Sequence, residues 1–180
     1  MHRSTISEDY LEQQKALHRD PNYGTASLRY APIVRKVLEQ AGLKSLSDYG
    51  AGKCNLRKAL HDLGQTGLEY LPYDPAFPVY GPPKPADLVC CIDVLEHVEE
   101  QYLDAVFEDL ERITTRIGFL TVHTGPAKKT LPDGRNAHII QRPASWWLPL
   151  MCRHFEIVQM QRAFGGFWVI TERKQAPTAA

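Results

Sequence analysis

The run Ala86–Ile92 (ADLVCCI) is apolar at every position but one, and it constrains the fold more than any other segment. A strand with one wet face alternates polar and apolar residues. One without alternation is buried on both faces, the pattern of a parallel sheet covered by helices on either side. The flanking segments agree. Apolar residues at helical spacing (Leu28, Ala31, Ile33, Val34, Val37, Leu38, Ala41) predict a helix over 27–41, stopped by Gly42. A strand at 45–49, a helix at 56–63, a strand at 67–73, the buried strand, a helix at 99–114 and a strand at 118–123 follow. A short helix is expected at 7–17 and another at 143–152, the latter carrying Trp146 and Trp147. Two strands at 155–160 and 167–172, separated by Gly165-Gly166, predict a closing antiparallel hairpin. Alternation of this kind gives an α/β fold with a mostly parallel sheet, an antiparallel edge, and ligands bound beyond the carboxyl ends of the strands.

At 180 residues one domain with one sizeable core is expected. The 21 basic and 21 acidic residues cancel, so no global field draws the chain to nucleic acid or an anionic membrane. No apolar run approaches the roughly 20 residues that span a bilayer, and residues 1–19 lack the apolar core of a signal peptide. Cys54, Cys90, Cys91 and Cys152 form no CxxC pair, which fits free thiols and a cytoplasmic setting.

Asp48-Tyr49-Gly50-Ala51-Gly52-Lys53-Cys54-Asn55 follows a predicted strand and opens a helix. Glycines at 50 and 52 permit a tight turn that brings backbone N–H groups close to a ligand. Asp48 ends the first strand and suits a cationic amino group. Asp74, 26 residues later at the end of the second, suits the two hydroxyls of a ribose. These residues resemble the first motif of the class I S-adenosylmethionine-dependent methyltransferases, an acid followed by GxGxG, with Cys54 in place of the third glycine. The resemblance covers about residues 20–172. It implies a Rossmann-like three-layer α/β/α fold, with S-adenosylmethionine held by Asp48, Gly50, Ala51, Gly52, Asp74, Pro75, Ile92 and Asp93, and with Tyr23 and Gly24 closing over its methionine part. A plain turn at Tyr23-Gly24 remains the other reading. The GxGxxG dinucleotide pattern is not met. Only 11 residues, five of them proline, separate Asp74 from Ala86, where most family members place a further helix and strand. The fold is therefore expected to be shortened after the second strand, with the adenine held by Phe77 or Tyr80 or left partly open.

Asp93-Val94-Leu95-Glu96-His97-Val98 follows the buried strand directly and resembles the E-V-L-E-H-V signature of many small-molecule O-methyltransferases. In that family this position faces the transferred methyl group. The spacing D-x-x-E-H also resembles the metal-holding E-x-x-E-H of small-RNA 2′-O-methyltransferases and ubiquinone-pathway O-methyltransferases. That resemblance implies Asp93, Glu96, His97 and a later His138 as ligands of Mg2+ or Mn2+ beside the acceptor hydroxyl. Two other readings stay open: Glu96 and His97 as helix caps with His138 a surface loop residue, or His123, His138 or His97 as a general base without metal. Trp146 and Trp147 offer a flat wall for an aromatic acceptor, or core packing.

The sequence thus predicts methyl transfer to an oxygen on a small-molecule or nucleotide-like acceptor, with Asp93, Glu96, His97, His123 and His138 at the reaction centre. A lid segment over 1–25, a methyltransferase domain over 26–173 and a frayed tail over 174–180 are expected. An RNA or modified-DNA acceptor is the alternative, because Lys128, Lys129, Arg135, Arg142 and Arg153 lie near the acceptor loop. A non-catalytic module that binds the cofactor and a partner protein is a third. No membrane contact is expected, and the oligomeric state is not written in the sequence.

Overall fold

A computed structural model describes residues 3–174. The expected tail falls, from residue 175 on, outside the described residues. Eleven helices and strands follow in chain order: α1 (Glu8–His18), α2 (Ala26–Ala41), β1 (Ser45–Tyr49), α3 (Asn55–Asp62), β2 (Glu69–Tyr73), β3 (Ala86–Ile92), α4 (Leu103–Ile113), β4 (Thr114–His123), α5 (Ala144–His154), β5 (Phe155–Ala163) and β6 (Gly166–Arg173). The six strands form one sheet in the order β2-β1-β3-β4-β6-β5. β2, β1, β3 and β4 run parallel, while β6 pairs antiparallel to both β4 and β5.

β3 lies at the centre, between β1 and β4, as its unbroken apolar run requires. Its residues split between two cores. Leu88, Cys90 and Ile92 join Val34, Leu38, Leu56 and Phe119 under α2 and α3, while Val89 and Cys91 join Leu103, Phe107, Leu110 and Trp147 under α4 and α5. Adjacent cysteines on opposite faces are what a strand's two-residue period dictates, and all four cysteines are free thiols.

α2 ends as predicted at Gly42, whose φ of 62° closes the last turn. Two elements start four residues away from where they were expected. Helix α4 begins only at Leu103, because Glu100–Tyr102 wind as a separate 3-10 turn. β4 begins at Thr114 rather than four residues later, since Thr114 turns directly from helix to strand with its hydroxyl donating to Leu110 O (2.7 Å). Exposed Thr115 and Arg116 hide this start of the strand in the sequence.

Between β2 and β3 the chain makes a single 3-10 turn, Pro78–Tyr80, with neither helix nor strand. β2 is therefore a sheet edge, and the shortening read from the prolines is real. Among the described residues no helix is long and apolar enough to cross a membrane.

Candidate active site

A cavity of about 560 Å³ opens beyond the carboxyl ends of β1, β3 and β4. Tyr23, Gly24, Asp48, Gly50, Ala51, Gly52, Asp74, Pro75, Ile92, Asp93, His97, His123 and His138 all line it. Of the residues expected to hold the cofactor or to form the reaction centre, Glu96 alone lies outside the lining, and it is fully buried.

The glycine turn keeps its hydrogen bonds to itself. The N–H groups of Gly50 and Ala51 both donate to Tyr73 O (2.8 and 2.9 Å), and that of Gly52 to Asp74 Oδ2 (2.9 Å). The expectation that these amides face a ligand is thus corrected. They are spent tying the end of β1 to the end of β2, and the glycines serve close approach instead. A Cβ on Gly50 would stand 2.3 Å from Val94 Cγ2, and one on Gly52 would stand 3.0 Å from His18 Cε1. Cys54 holds the left-handed conformation (φ 55°) that the family's third glycine would supply.

Two carboxylates sit against this turn. Asp74 accepts Gly52 N–H and Ala76 N–H (2.8 Å), which leaves lone pairs for further donors. Burial raises its pKa, opposed by the His18 imidazole 4.0 Å away. Asp48 accepts the Tyr70 hydroxyl, and burial pushes its pKa up to about 7.

Across the cavity, Asp93 occupies a left-handed backbone conformation (φ 51°), costly for an ordinary residue. Thr121 fixes it from both sides: the hydroxyl accepts Asp93 N–H (2.8 Å) and donates to Asp93 Oδ1.

Glu96 is 0% exposed. Its Oε1 accepts His123 N–H (2.9 Å), whereas Oε2 is buried without a partner. Burial, with the nearby Asp93, raises its pKa well above the carboxylate range. His97 and His138 each have Nδ1 2.7 Å from a backbone carbonyl, of Ala137 and Gly125 respectively. A carbonyl only accepts, so each Nδ1 carries the proton and each Nε2 presents a lone pair. Burial lowers both pKa values, that of His97 to about 3, so both rings are neutral at pH 7. Glu96, His97 and His138 bring one ligand atom each within 4.8 Å of one another. Asp93, expected as a fourth ligand, is not in this group, being turned to Thr121. His123 packs its Nε2 against the β5–β6 turn, 2.6 Å from where a Cβ on Gly165 would stand.

Several expectations are corrected. Neither Trp146 nor Trp147 lines the cavity; Trp147 is fully buried under the sheet and Trp146 packs edge-on against it at 4.9 Å. Phe77 and Tyr80 also lie outside the lining, stacked on each other at 5.5 Å, with His18 edge-on to Phe77 at 5.0 Å. Glu96 and His97 do not cap a following helix. They form their own 3-10 turn, and Glu96 O accepts Ile140 N–H (3.0 Å), which anchors the loop that delivers His138.

A lid was expected over 1–25, but three of the residues through which it lines the cavity were missed in the sequence. Helix α1 was expected, but not its contribution of Tyr10, Gln14 and His18 to the lining. Their i, i+4, i+8 spacing is the signal that marks one face of a helix. The roof is latched at both ends. Ser7 Oγ donates to Glu99 (2.9 Å); Lys53 Nζ donates to Tyr23 O (3.0 Å) and Asp20 O; Asp20 pairs with Lys129. Arg29 and Lys128 also line the cavity, adding cations.

No family model matches the chain, and no curated protein matches it. Solved structures do. The chain is similar to a 1,6-didemethyltoxoflavin-N1-methyltransferase of Burkholderia thailandensis, solved with bound 1,6-didemethyltoxoflavin and S-adenosylhomocysteine: 16% identity, 97% of this chain and 93% of that one, TM-score 0.63. It is similar to the mitomycin 7-O-methyltransferase MmcR (14% identity, 90% of this chain, 60% of that one, TM-score 0.65). It is also similar to the methyltransferase domain of bacterial CtHen1-CN (16% identity, 82% and 99% covered, TM-score 0.58). At these identities the likeness establishes the shared Rossmann-like fold.

Proposed function

We propose that the chain is an S-adenosylmethionine-dependent methyltransferase acting on an oxygen of a small-molecule or nucleotide-like acceptor. One observation carries the reading: a single cavity joins the carboxylates Asp48 and Asp74, beside the glycine turn, to the half-buried His97 and His138, which cluster with the fully buried Glu96. S-adenosylmethionine supplies an electrophilic methyl group and a neutral thioether leaving group. The residues present fit it. Asp74 keeps acceptor capacity for the ribose hydroxyls, Asp48 meets the amino group, and the absence of a Cβ at Gly50 and Gly52 lets the turn close under it. Arg29 and Lys128 supply positive charge for a carboxylate or phosphate.

The reaction needs the acceptor hydroxyl held in line and relieved of its proton as the new bond forms. Glu96, His97 and His138 suit that task as a divalent-cation site, since Glu96 Oε2 has no other partner and both imidazoles have their tautomers fixed by carbonyls. Two imidazoles and one carboxylate favour Mn2+ over Mg2+, which prefers oxygen. Such an ion, when bound, lowers the pKa of a hydroxyl that coordinates it. Without an ion, the lone pair on His138 Nε2 takes the proton directly. An RNA or modified-DNA acceptor ranks second, because Lys129 is paired with Asp20 and Arg135 with Asp133, leaving a weaker basic surface.

Calorimetric titration with S-adenosylmethionine and S-adenosylhomocysteine, with Mn2+, Mg2+ and chelator in turn, tests the reading. Binding of both ligands is expected, with an added Mn2+-dependent heat. Failure of both to bind would sink the methyltransferase assignment. Binding without turnover on any acceptor would instead favour a non-catalytic module.

A further inference from the structure

Among the described residues, eight buried side-chain polar atoms lack a hydrogen-bond partner, and Tyr10 OH, Gln14 Nε2 and His18 Nδ1 are three of them. All three project from one face of α1, at i, i+4 and i+8, into the same cavity. Tyr10 is 2% exposed and Gln14 8%. Buried polar groups are ordinarily satisfied, so three orphans in one row mark groups that await a ligand. Apolar packing does not explain their placement, since the only buried residues of α1 are Tyr10 and Gln14 themselves.

The row has a fixed starting point. His18 Nε2 stands 4.0 Å from Asp74 Oδ2, and His18 Cε1 lies over Gly52, so the C-terminal end of the row covers the carboxylate assigned to the ribose. Gln14 is one turn further along, about 6 Å of helix rise, and Tyr10 a second turn. The β2–β3 connection contributes no helix or strand to the lining, because it is a single turn whose Phe77 and Tyr80 stack on each other outside it.

We infer that α1 reads the cofactor's nucleobase, with the Gln14 amide on the adenine edge. This rests on the proposal that S-adenosylmethionine binds here. A primary amide sets a donor beside an acceptor, the pattern that pairs with adenine's exocyclic amino group and a neighbouring ring nitrogen. Gln14 is held for that purpose: Oε1 accepts the Tyr23 hydroxyl (3.2 Å) on one lone pair and keeps the other, while Nε2 is unspent. His18 Nδ1 faces the ribose, and the Tyr10 hydroxyl closes the far side of the base.

The test is calorimetry with S-adenosylhomocysteine and with its purine analogue lacking the 6-amino group, on the wild type, Gln14→Leu and Tyr10→Phe. The wild type should prefer the amino-bearing ligand by about tenfold or more. Gln14→Leu should bind S-adenosylhomocysteine 10- to 100-fold more weakly, by order of magnitude, and bind both ligands alike. Tyr10→Phe, which keeps the ring and the packing of the roof, should lose about threefold or more. Unchanged S-adenosylhomocysteine affinity in Gln14→Leu, or a preserved preference for the amino group, would overturn the assignment. A Gln14→Leu protein that melts early leaves Tyr10→Phe and the wild-type preference between the two ligands to decide it. No binding by the wild type would remove the cofactor proposal itself, an outcome separate from binding that ignores Gln14.

Discussion

The two ends of the cavity solve their hydrogen-bonding problem in opposite ways. At the Gly50–Gly52 turn every amide that could face a ligand is consumed internally, by Tyr73 O and by Asp74. At Glu96, His97 and His138 the backbone fixes one atom of each side chain and leaves the other unpartnered or with a free lone pair. The first end is shaped by backbone and recognises by fit, with side-chain carboxylates for the polar contacts. The second is a preorganised set of acceptors, the arrangement that can stabilise charge arising during a reaction. Substitutions at the two ends should therefore separate binding from turnover.

The sharpest break is Glu96→Gln. The amide oxygen still accepts His123 N–H, so β4 keeps its end, but the carboxyl oxygen that a bound cation would hold in its ionised form is gone. Turnover should fall on the order of 10³-fold, and the Mn2+-dependent heat should vanish. S-adenosylhomocysteine affinity should stay within about threefold. A comparable loss of that affinity would show that the two ends are not separable.

The converse is Asp74→Ala. Losing the carboxylate proposed for the two ribose hydroxyls should weaken S-adenosylhomocysteine on the order of 100-fold. A Mn2+ titration of the same variant should give the wild-type heat. Because Gly52 N–H and Ala76 N–H lose their acceptor, a lower melting temperature is also expected, and Asp74→Asn, which retains one oxygen, should restore most of it.

Asp48 sharpens the comparison through pH. Its folded-state pKa of about 7 lies above the 3.8 of an ordinary aspartate, because burial disfavours the charge. Between those values the folded state holds a proton that the unfolded state has released. Stability from this group is therefore fully present below pH 4 and declines as pH rises to about 7. Asp48→Asn should flatten that decline in thermal melts. A cationic amino group has the reverse preference and wants the carboxylate, so S-adenosylmethionine affinity should climb by up to about fivefold from pH 6 to pH 7, by up to about twofold more to pH 8, and level off above. A flat profile would remove Asp48 from the amino-group role.

Legibility in the sequence followed the same division. β1 and β3 match their expected bounds, β3 because a nearly unbroken apolar run admits one environment, β1 because the Gly50–Gly52 turn ends it. The residues of the two motifs converge on one cavity because each motif directly follows a strand, and parallel strands deliver their carboxyl ends to one side. Three lining residues of the roof did not follow from pattern. Tyr10, Gln14 and His18 sit in a helix that is mostly polar and charged, and only the fold shows that its inner face meets the cavity rather than solvent. Trp146 and Trp147 left a binding wall and core packing both open, and core packing is what Trp147 does. Large aromatics suggest a binding wall, yet α5 points Trp147 into the core, where a large apolar surface gains most from burial.

Cys54 gives the smallest effect and the cleanest reading of the turn. The sequence marks it only as a departure from GxGxG, and the structure shows that the departure did not relax the geometry: φ is 55°, in the left-handed region. A non-glycine residue there costs on the order of 1 kcal/mol. Part of that is offset where Cys54 Sγ meets the Tyr80 hydroxyl at 3.4 Å, a contact that ties the turn to the Phe77–Tyr80 stack. Cys54→Gly removes the strain and the contact together, and also frees the unfolded chain. Urea melts should place it within about 1 kcal/mol of the wild type on either side. Cys54→Ala keeps the strain without the thiol and should be the less stable of the two variants. If Cys54→Ala proves equal to Cys54→Gly, the left-handed turn carries no measurable strain, and the backbone-shaped end of the cavity owes its form to the hydrogen bonds that Tyr73, Asp74 and Tyr80 make with it.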